Sequence, residues 1–417
     1  MSCRKASSSP CLGIVVMAAL ISLFSFHLGA TPTADADSLN LNRHPLVHSL
    51  ELNLGADYMA SSTVDEIREE NDDVHKVFSH SALPINLKYS FSFTDPAVRN
   101  YLPGGYQGIG LGILNIGVFD SGGLRKSTGY IHYPVSLYVF QGGPFWHINP
   151  SLSMDYEWNF GASFGWKPYS ETNEFYNLTV GSRVNAYLNL GIRLKWQIER
   201  HFALTAGVAV NHYSNGNTSW PNPGVNSFGV RIGAVYTFNP QQIPAHEVTT
   251  DTLEKRRKLE YDILLWGSAR KRVYRGGDTP VLLPGHFGCA GISFAPMVRL
   301  GEWWRLGGSA DIQWDGSSAI QEYIVVDQSI KSIRLIQRKF IHQVSWGISA
   351  HGELQMPVFA LNVGLGYNLV APKENRGFYQ NIALKTYIGS KFFINIGYQL
   401  RNFYQQSNLM LGCGLSI

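Results

Sequence analysis

The segment Val184 to Ile198 restricts the possible folds of this chain more than any other. Val184, Ala186, Leu188, Leu190, Ile192, Leu194, Trp196 and Ile198 alternate with Asn185, Tyr187, Asn189, Gly191, Arg193, Lys195 and Gln197. A period of two is the repeat of a β-strand, whose successive side chains leave on opposite faces. One face here is wholly apolar and the other carries charges and amides. An apolar strand face lies against a core or against lipid, and in a membrane barrel the polar face lines the interior. Composition agrees with an all-β chain: 42 glycines, 21 tyrosines and only 15% charged residues, with little helical periodicity.

The connections favour the barrel. Strands are predicted near 49–59, 85–95, 108–119, 133–146, 152–167, 184–199, 202–215 and 226–238. The segments between them are long at 60–84, 120–132, 168–183 and 216–225, and tight at 147–151 and 200–201; 96–107 is intermediate. Long loops alternating with tight turns are the habit of outer-membrane barrels, with the long set outside the cell. The start of the chain fits export. Arg4 and Lys5 precede a short apolar run, Leu12 to Phe26, followed by small residues at Gly29-Ala30 and Ala34-Asp35-Ala36, the layout of a secretory signal. That run is too short to span a bilayer as a helix. Loss of Arg4 and Lys5 takes the formal net charge from +4 to +2, which is no nucleic-acid footprint.

The pattern then repeats. Beyond a polar linker at 239–260, strands are expected near 261–274, 285–300, 303–316, 342–356, 359–372, 380–388, 391–403 and 408–417, and 317–341 reads as a tall hairpin. The fold class is thus an antiparallel up-and-down transmembrane β-barrel of about sixteen strands in two eight-strand repeats, with two tandem barrels favoured over one wide one. The organisation is a signal and start of the mature chain at 1–36, a first barrel at 37–238, the linker, and a second repeat at 261–417. FALTAGVAV followed by VRIGAVYTF has a counterpart in FFINIGYQL followed by LMLGCGLSI, which sets Asn402 and Tyr404 where His212 and Ser214 stand. The second repeat is therefore expected to lack a reactive pair. Outside the signal the cysteines are Cys289 and Cys413; export permits a disulfide between them, but they read as two small strand residues that never meet.

Chemistry concentrates at Val208 to Phe238. His212 and Ser214 end the row Leu204, Ala206, Val208, Val210, and Asn226 opens the matching row Phe228, Val230, Ile232 across the loop. A His and a Ser two positions apart on one strand face are close enough for the base to take the hydroxyl proton. With both ends of an even-stranded barrel on the periplasmic side, the seventh strand rises outward, and His212 to Asn215 sits at the outer leaflet. A lipid lying alongside is the substrate such residues can meet. Ser214 is the expected nucleophile, His212 the general base and Asn215 an oxyanion donor, for cleavage of an acyl ester.

The run His212, Tyr213, Ser214, Asn215, with Pro221-Asn222 in the following loop, resembles the signature of the lipid A 3-O-deacylase family of outer-membrane barrels, whose longer relatives are described as acyloxyacyl hydrolases. The resemblance is strongest from Asn185 to Phe238, is reasonable over the whole first half, and does not extend recognisably into the second half. It implies hydrolysis of an ester-linked acyl chain of lipid A, in the outer leaflet of the outer membrane, by Ser214 and His212 without a metal or other cofactor. One position departs: the family's glutamate is Asn226 here. An amide carbonyl can hold the imidazole tautomer but cannot stabilise an imidazolium by charge, so slower turnover is expected. The alternative is a non-enzymatic barrel, a porin or structural protein, with a degenerate site. The tryptophans Trp220, Trp303 and Trp304 read as interface-girdle residues. His44, His48, His75 and His80 lack metal-ligand spacing, and Arg125, Lys126 and Lys167 are ordinary loop cations that could meet phosphates.

Overall fold

The computed structural model describes residues 46–68, 74–94, 102–116, 133–169, 179–240, 258–274, 281–301, 303–327, 332–336, 339–356, 358–389, 391–403 and 405–417. The expected signal, most of the linker, and Arg125, Lys126 and Tyr404 lie outside them. Eight strands form the first unit: β1 Val47–Arg68, β2 Val74–Ser92, β3 Tyr106–Ile116, β4 Val135–Asn149, β5 Leu152–Phe164, β6 Val184–Gln197, β7 Phe202–Ser214 and β8 Val225–Thr237. They close as one antiparallel barrel in chain order, sealed by β1 against β8 from Ser49↔Thr237 to Met59↔Ser227.

The second unit is also a closed eight-stranded barrel, in which β9 Lys258–Arg270 pairs with both β12 Phe287–Leu300 and β20 Gln405–Ser416. Between them run β13 Trp304–Asp315, β16 Val344–Gln355, β17 Phe359–Val370, β18 Gly377–Ile388 and β19 Phe392–Arg401. Two small two-stranded sheets stand apart from the barrels: β10 Val273–Tyr274 with β11 Val281–Leu282, and β14 Ile324–Asp327 with β15 Ser332–Leu335. The latter is the tall hairpin expected in 317–341. Two segments read as loops are partly strand. β1 runs on to Arg68 and β2 starts at Val74, paired as a ribbon beyond a register shift between Tyr58 and Thr63, and 275–284 contains β11. Ribbon pairing satisfies backbone groups that a bare loop would leave to water.

The alternation sorts side chains as a lipid-facing barrel requires. Outward residues are bare, among them Leu52 at 50%, Val208 at 59% and Ile232 at 61% exposure. Inward residues are largely polar, and several of their charges are paired, because an unpaired charge in a closed interior would be costly. In the first barrel Lys88 bridges Glu51 and Glu157 at 2.9 and 3.0 Å, and Arg193 joins Glu51 at 2.8 Å. Toward the end that carries His212 and Ser214 the filling turns aromatic, with Tyr138, Phe140, Trp166, Tyr187 and Tyr213 in one cluster. In the second barrel the fully buried Arg305 meets Asp262 at 2.6 Å and Glu353 at 2.7 Å, and Lys385 meets Glu353 at 2.6 Å. Interiors filled in this way are those of eight-stranded barrels rather than of wide aqueous channels. Cys289 faces the interior, Cys413 the exterior, and both are free thiols.

Candidate active site

The end of β7 is locked from the inside. Asn211 points inward and bonds Asp57 at 2.8 Å and Ser227 at 3.0 Å, while accepting from Asn189 at 2.7 Å. Tyr213, also inward and buried, stacks on Tyr187 with centroids 5.0 Å apart and packs on Trp166 at 5.3 Å. Because strand neighbours alternate, fixing Asn211 and Tyr213 inside fixes His212 and Ser214 outside. They share their face with Val208 and Val210, both more than half exposed. Cross-strand pairing then sets His212 directly opposite Asn226.

The three side chains form one hydrogen-bond chain. Asn226 Oδ1 lies 2.6 Å from His212 Nδ1, and Ser214 Oγ lies 2.9 Å from His212 Nε2. An amide oxygen can only accept, so Nδ1 carries the proton and donates. In the neutral ring Nε2 is then the bare nitrogen, and Ser214 donates its hydroxyl proton to it. This is an arrangement in which a hydroxyl can pass its proton to an imidazole whose tautomer is set by an amide. All three are half-buried.

Asn215 is positioned differently from the expected oxyanion donor. Its backbone N–H donates to Asn222 Oδ1 at 2.8 Å, and its side-chain amide donates to Ser219 O at 3.0 Å and Pro221 O at 3.4 Å. Its carbonyl accepts from Thr218 Oγ1 at 2.7 Å. These bonds fold the loop back on itself, and both donors of Asn215 are engaged within it.

Gly224, which the sequence reading passed over, backs the site. It sits at φ +79°, and a Cβ there would come 2.9 Å from His212 Cε1 and 3.0 Å from the Tyr213 carbonyl. Glycine's lack of a Cβ lets the β8 approach lie against the imidazole. The signal available in the sequence was a glycine shortly before the β8 row.

The second barrel holds a similar set that sequence reasoning also missed. His351 Nδ1 lies 2.8 Å from Asn362 Oδ1, and Ser349 Oγ lies 2.8 Å from His351 Nε2. This set faces the interior, and Ser349 Oγ also lies 2.9 Å from Asp311 Oδ2 and 2.6 Å from Ser309. A buried serine shared with a carboxylate in a filled barrel is a packing network, not a site a lipid can reach. Asn402 lies in the turn between β19 and β20 at φ 48°.

With this geometry in hand, comparison with known proteins gives two family matches, one within each barrel, so the likeness also reaches the second half, where the sequence resemblance did not extend. Residues 108–235 match the lipid A 3-O-deacylase (PagL) family, and residues 259–417 match the C-terminal domain of acyloxyacyl hydrolase. No curated protein matches the sequence. Solved structures that align with the chain include an outer membrane channel from Pseudomonas putida F1, at 13% identity over 92% of this chain and 96% of that one, TM-score 0.18. The P. putida toluene transporter TodX aligns at 11% identity over 89% of this chain and 87% of that one, TM-score 0.17. Superposition that loose carries no argument.

Proposed function

This chain belongs to the lipid A 3-O-deacylase family of acyloxyacyl hydrolases, and from that premise we propose that it is an outer-membrane serine esterase that removes an ester-linked acyl chain from lipid A. The observation that carries the proposal is the chain Ser214–His212–Asn226 on the outward face of β7 and β8. Ser214 Oγ attacks the ester carbonyl carbon as His212 Nε2 takes its proton. The tetrahedral intermediate collapses, the alcohol oxygen of the sugar leaves with the proton from Nε2, and an acyl-serine remains. Water then attacks, again losing a proton to Nε2, and the fatty acid and free Ser214 are released. Asn226 holds the ring throughout. Asn215 serves by folding the loop that follows the nucleophile.

Residence in the outer membrane is supported by the bare apolar rows. Aromatic residues at one rim, Trp196 at 54%, Tyr236 at 49% and Phe238 at 51% exposure, suit a headgroup boundary. The second reading, a barrel with a degenerate site, is favoured by one feature, the amide at 226 in place of a carboxylate.

The deciding experiment is mass spectrometry of lipid A from purified lipopolysaccharide incubated with the folded protein. Loss of one acyl mass is expected, and it disappears in Ser214→Ala and His212→Ala, which still show the heat-dependent gel migration of a folded barrel. Intact lipid A after incubation with the folded wild type refutes the proposal.

A further inference from the structure

The loop that leaves the proposed nucleophile does not end its contacts within its own barrel. After Ser214 the chain passes through two left-handed residues, Gly216 at φ 62° and Asn217 at φ 63°. This turn directs the loop onto the outer rim of the second barrel. Asn217 Nδ2 donates to the carbonyl of Ser407 at 2.9 Å, and the Lys271 N–H donates to the carbonyl of Thr218 at 2.8 Å. Gly216 lies against Leu409, so that a methyl on it would come within 3.3 Å of the leucine side chain. Ser407 and Leu409 belong to the start of β20, and Lys271 directly follows β9.

The anchor on the far side is stiff. The Ser407 carbonyl that receives Asn217 also receives Arg270 NH1 at 2.9 Å. Arg270 is buried, ion-paired with Asp315, and donates through Nε to Ser317 at 2.8 Å. One carbonyl therefore joins the catalytic loop to a buried charge network of the other barrel. The barrels also meet lower down, where Trp158 on β5 packs edge-on against Phe359 on β17 at 6.0 Å. On that flank Gln141, the cross-strand partner of Trp158 on an outward row, is buried.

We propose that the second barrel is a positioning partner of the esterase site: through Ser407, Leu409 and Lys271 it fixes the Gly216–Thr218 turn and thereby the placement of Ser214 against His212. This rests on the reading of Ser214 as the nucleophile. Nucleophile and base work only in a narrow range of approach, and a shift of about 1 Å can cost about a hundredfold in rate. A loop closed on itself by Asn215 moves as a body. Its far end is held by its own barrel, where Trp220 packs edge-on on Tyr169 at 4.9 Å, and its Gly216–Thr218 end, next to Ser214, is held by its seat on the second barrel. Asn217, Leu409 and the Lys271 amide are thus positioning residues that touch no substrate.

The test uses the full-length protein in detergent micelles, with purified lipopolysaccharide as substrate and a small fluorophosphonate as a covalent probe of Ser214. Asn217→Gly keeps the left-handed backbone and removes the amide donor. Leu409→Ala alters only the second barrel, and Leu409→Met restores its bulk. Folding of each is checked by heat-dependent gel migration. Both truncating variants are expected to lower kcat for acyl release by about ten- to a hundredfold, with KM within about twofold of the wild type. The rate of probe labelling is expected to fall in parallel, and Leu409→Met to recover most of both. Unchanged kcat and unchanged labelling in folded Asn217→Gly and Leu409→Ala overturn the proposal. So does a rise in KM with labelling unaltered, which would make the second barrel a wall for lipid and not a support for the serine. A wild type that neither releases fatty acid nor takes the probe overturns the esterase reading itself, and this inference with it.

Discussion

Replacing Asn226 by aspartate tests the proposed mechanism at its weakest member. The two side chains are nearly isosteric, so the carboxylate would take over the 2.6 Å contact with His212 Nδ1. As Ser214 gives up its proton, the imidazole becomes cationic, and aspartate adds a negative charge beside it where the amide adds none. Unit charges about 4 Å apart attract by ~4 kcal/mol at an effective dielectric of ~20. His212 and Asn226 are half-buried and not enclosed, so solvent and headgroup screening reduce this to about 1–2 kcal/mol, or about 5- to 30-fold in rate. Asn226→Asp is therefore expected to raise kcat for acyl release by that factor, with KM little changed, because the charge matters only in the transition state. Initial rates on purified lipopolysaccharide, read by mass spectrometry of lipid A, give the ratio. Asn226→Ala is the companion, expected to slow the reaction because the imidazole loses the acceptor that sets its tautomer. If a folded Asn226→Asp protein is no faster than the wild type, the reasoning fails: either His212 does not become charged or residue 226 does not face it during reaction.

Four other outcomes follow from the same geometry. Ser214→Ala is expected to lower acyl release by about 10⁴-fold or more without altering the denaturant midpoint of the barrel. Gly224→Ala places a methyl 2.9 Å from His212 Cε1 at a left-handed backbone position; about 1–2 kcal/mol of stability and about ten- to a hundredfold in kcat should be lost, as read by urea unfolding in micelles and by acyl release. Asp57→Ala strands Arg231, which it pairs, and breaks bonds to Asn211 and Ser227; a loss of about 3–5 kcal/mol is expected in the same unfolding assay. Val208→Arg, at a residue 59% exposed on a row facing the proposed lipid phase, should cost about 2–4 kcal/mol if that row lies near the midplane; a neutral effect in a lipid bilayer would mean the row does not face lipid.

Most of the architecture was legible because barrel strands obey a period of two with few exceptions. The strand predicted at 184–199 is Val184–Gln197, that at 202–215 is Phe202–Ser214, and that at 359–372 is Phe359–Val370. The failures lie where the period continues without an apolar row. Segment 60–84 is rich in charged residues, so it reads as loop, yet Thr63–Arg68 and Val74–Ser79 pair there as a ribbon. His212, Ser214 and Asn226 could be placed on one surface from alternation alone, since their inward neighbours Asn211 and Tyr213 are plainly out of register with them. Asn215 could not be resolved in the same way. Whether an amide points at a substrate or at its own loop depends on the path of 216–222, which no periodicity describes. Gly224 and the ties from Asn217 to Ser407 were invisible for a related reason: each depends on distances between segments far apart in the chain.

The seams that close the two cylinders have a consequence for how the chain can be built. Ser49 to Met59 must find Ser227 to Thr237, and Asp262 to Gly267 must find Leu411 to Ser416. Each closure joins the first strand of its unit to the last, the costliest loop in entropy and the slowest kind of contact to form. Neither cylinder can shut until its final hairpin has been delivered, and a chain cut short of Leu411 would leave β9 and β19 with unpaired edges in an environment that offers no water to satisfy them. Integrity of β20 is thus a gate on closure of the second unit, and through the rim at Ser407 and Leu409 it is also needed to complete the surroundings of the proposed site in the first.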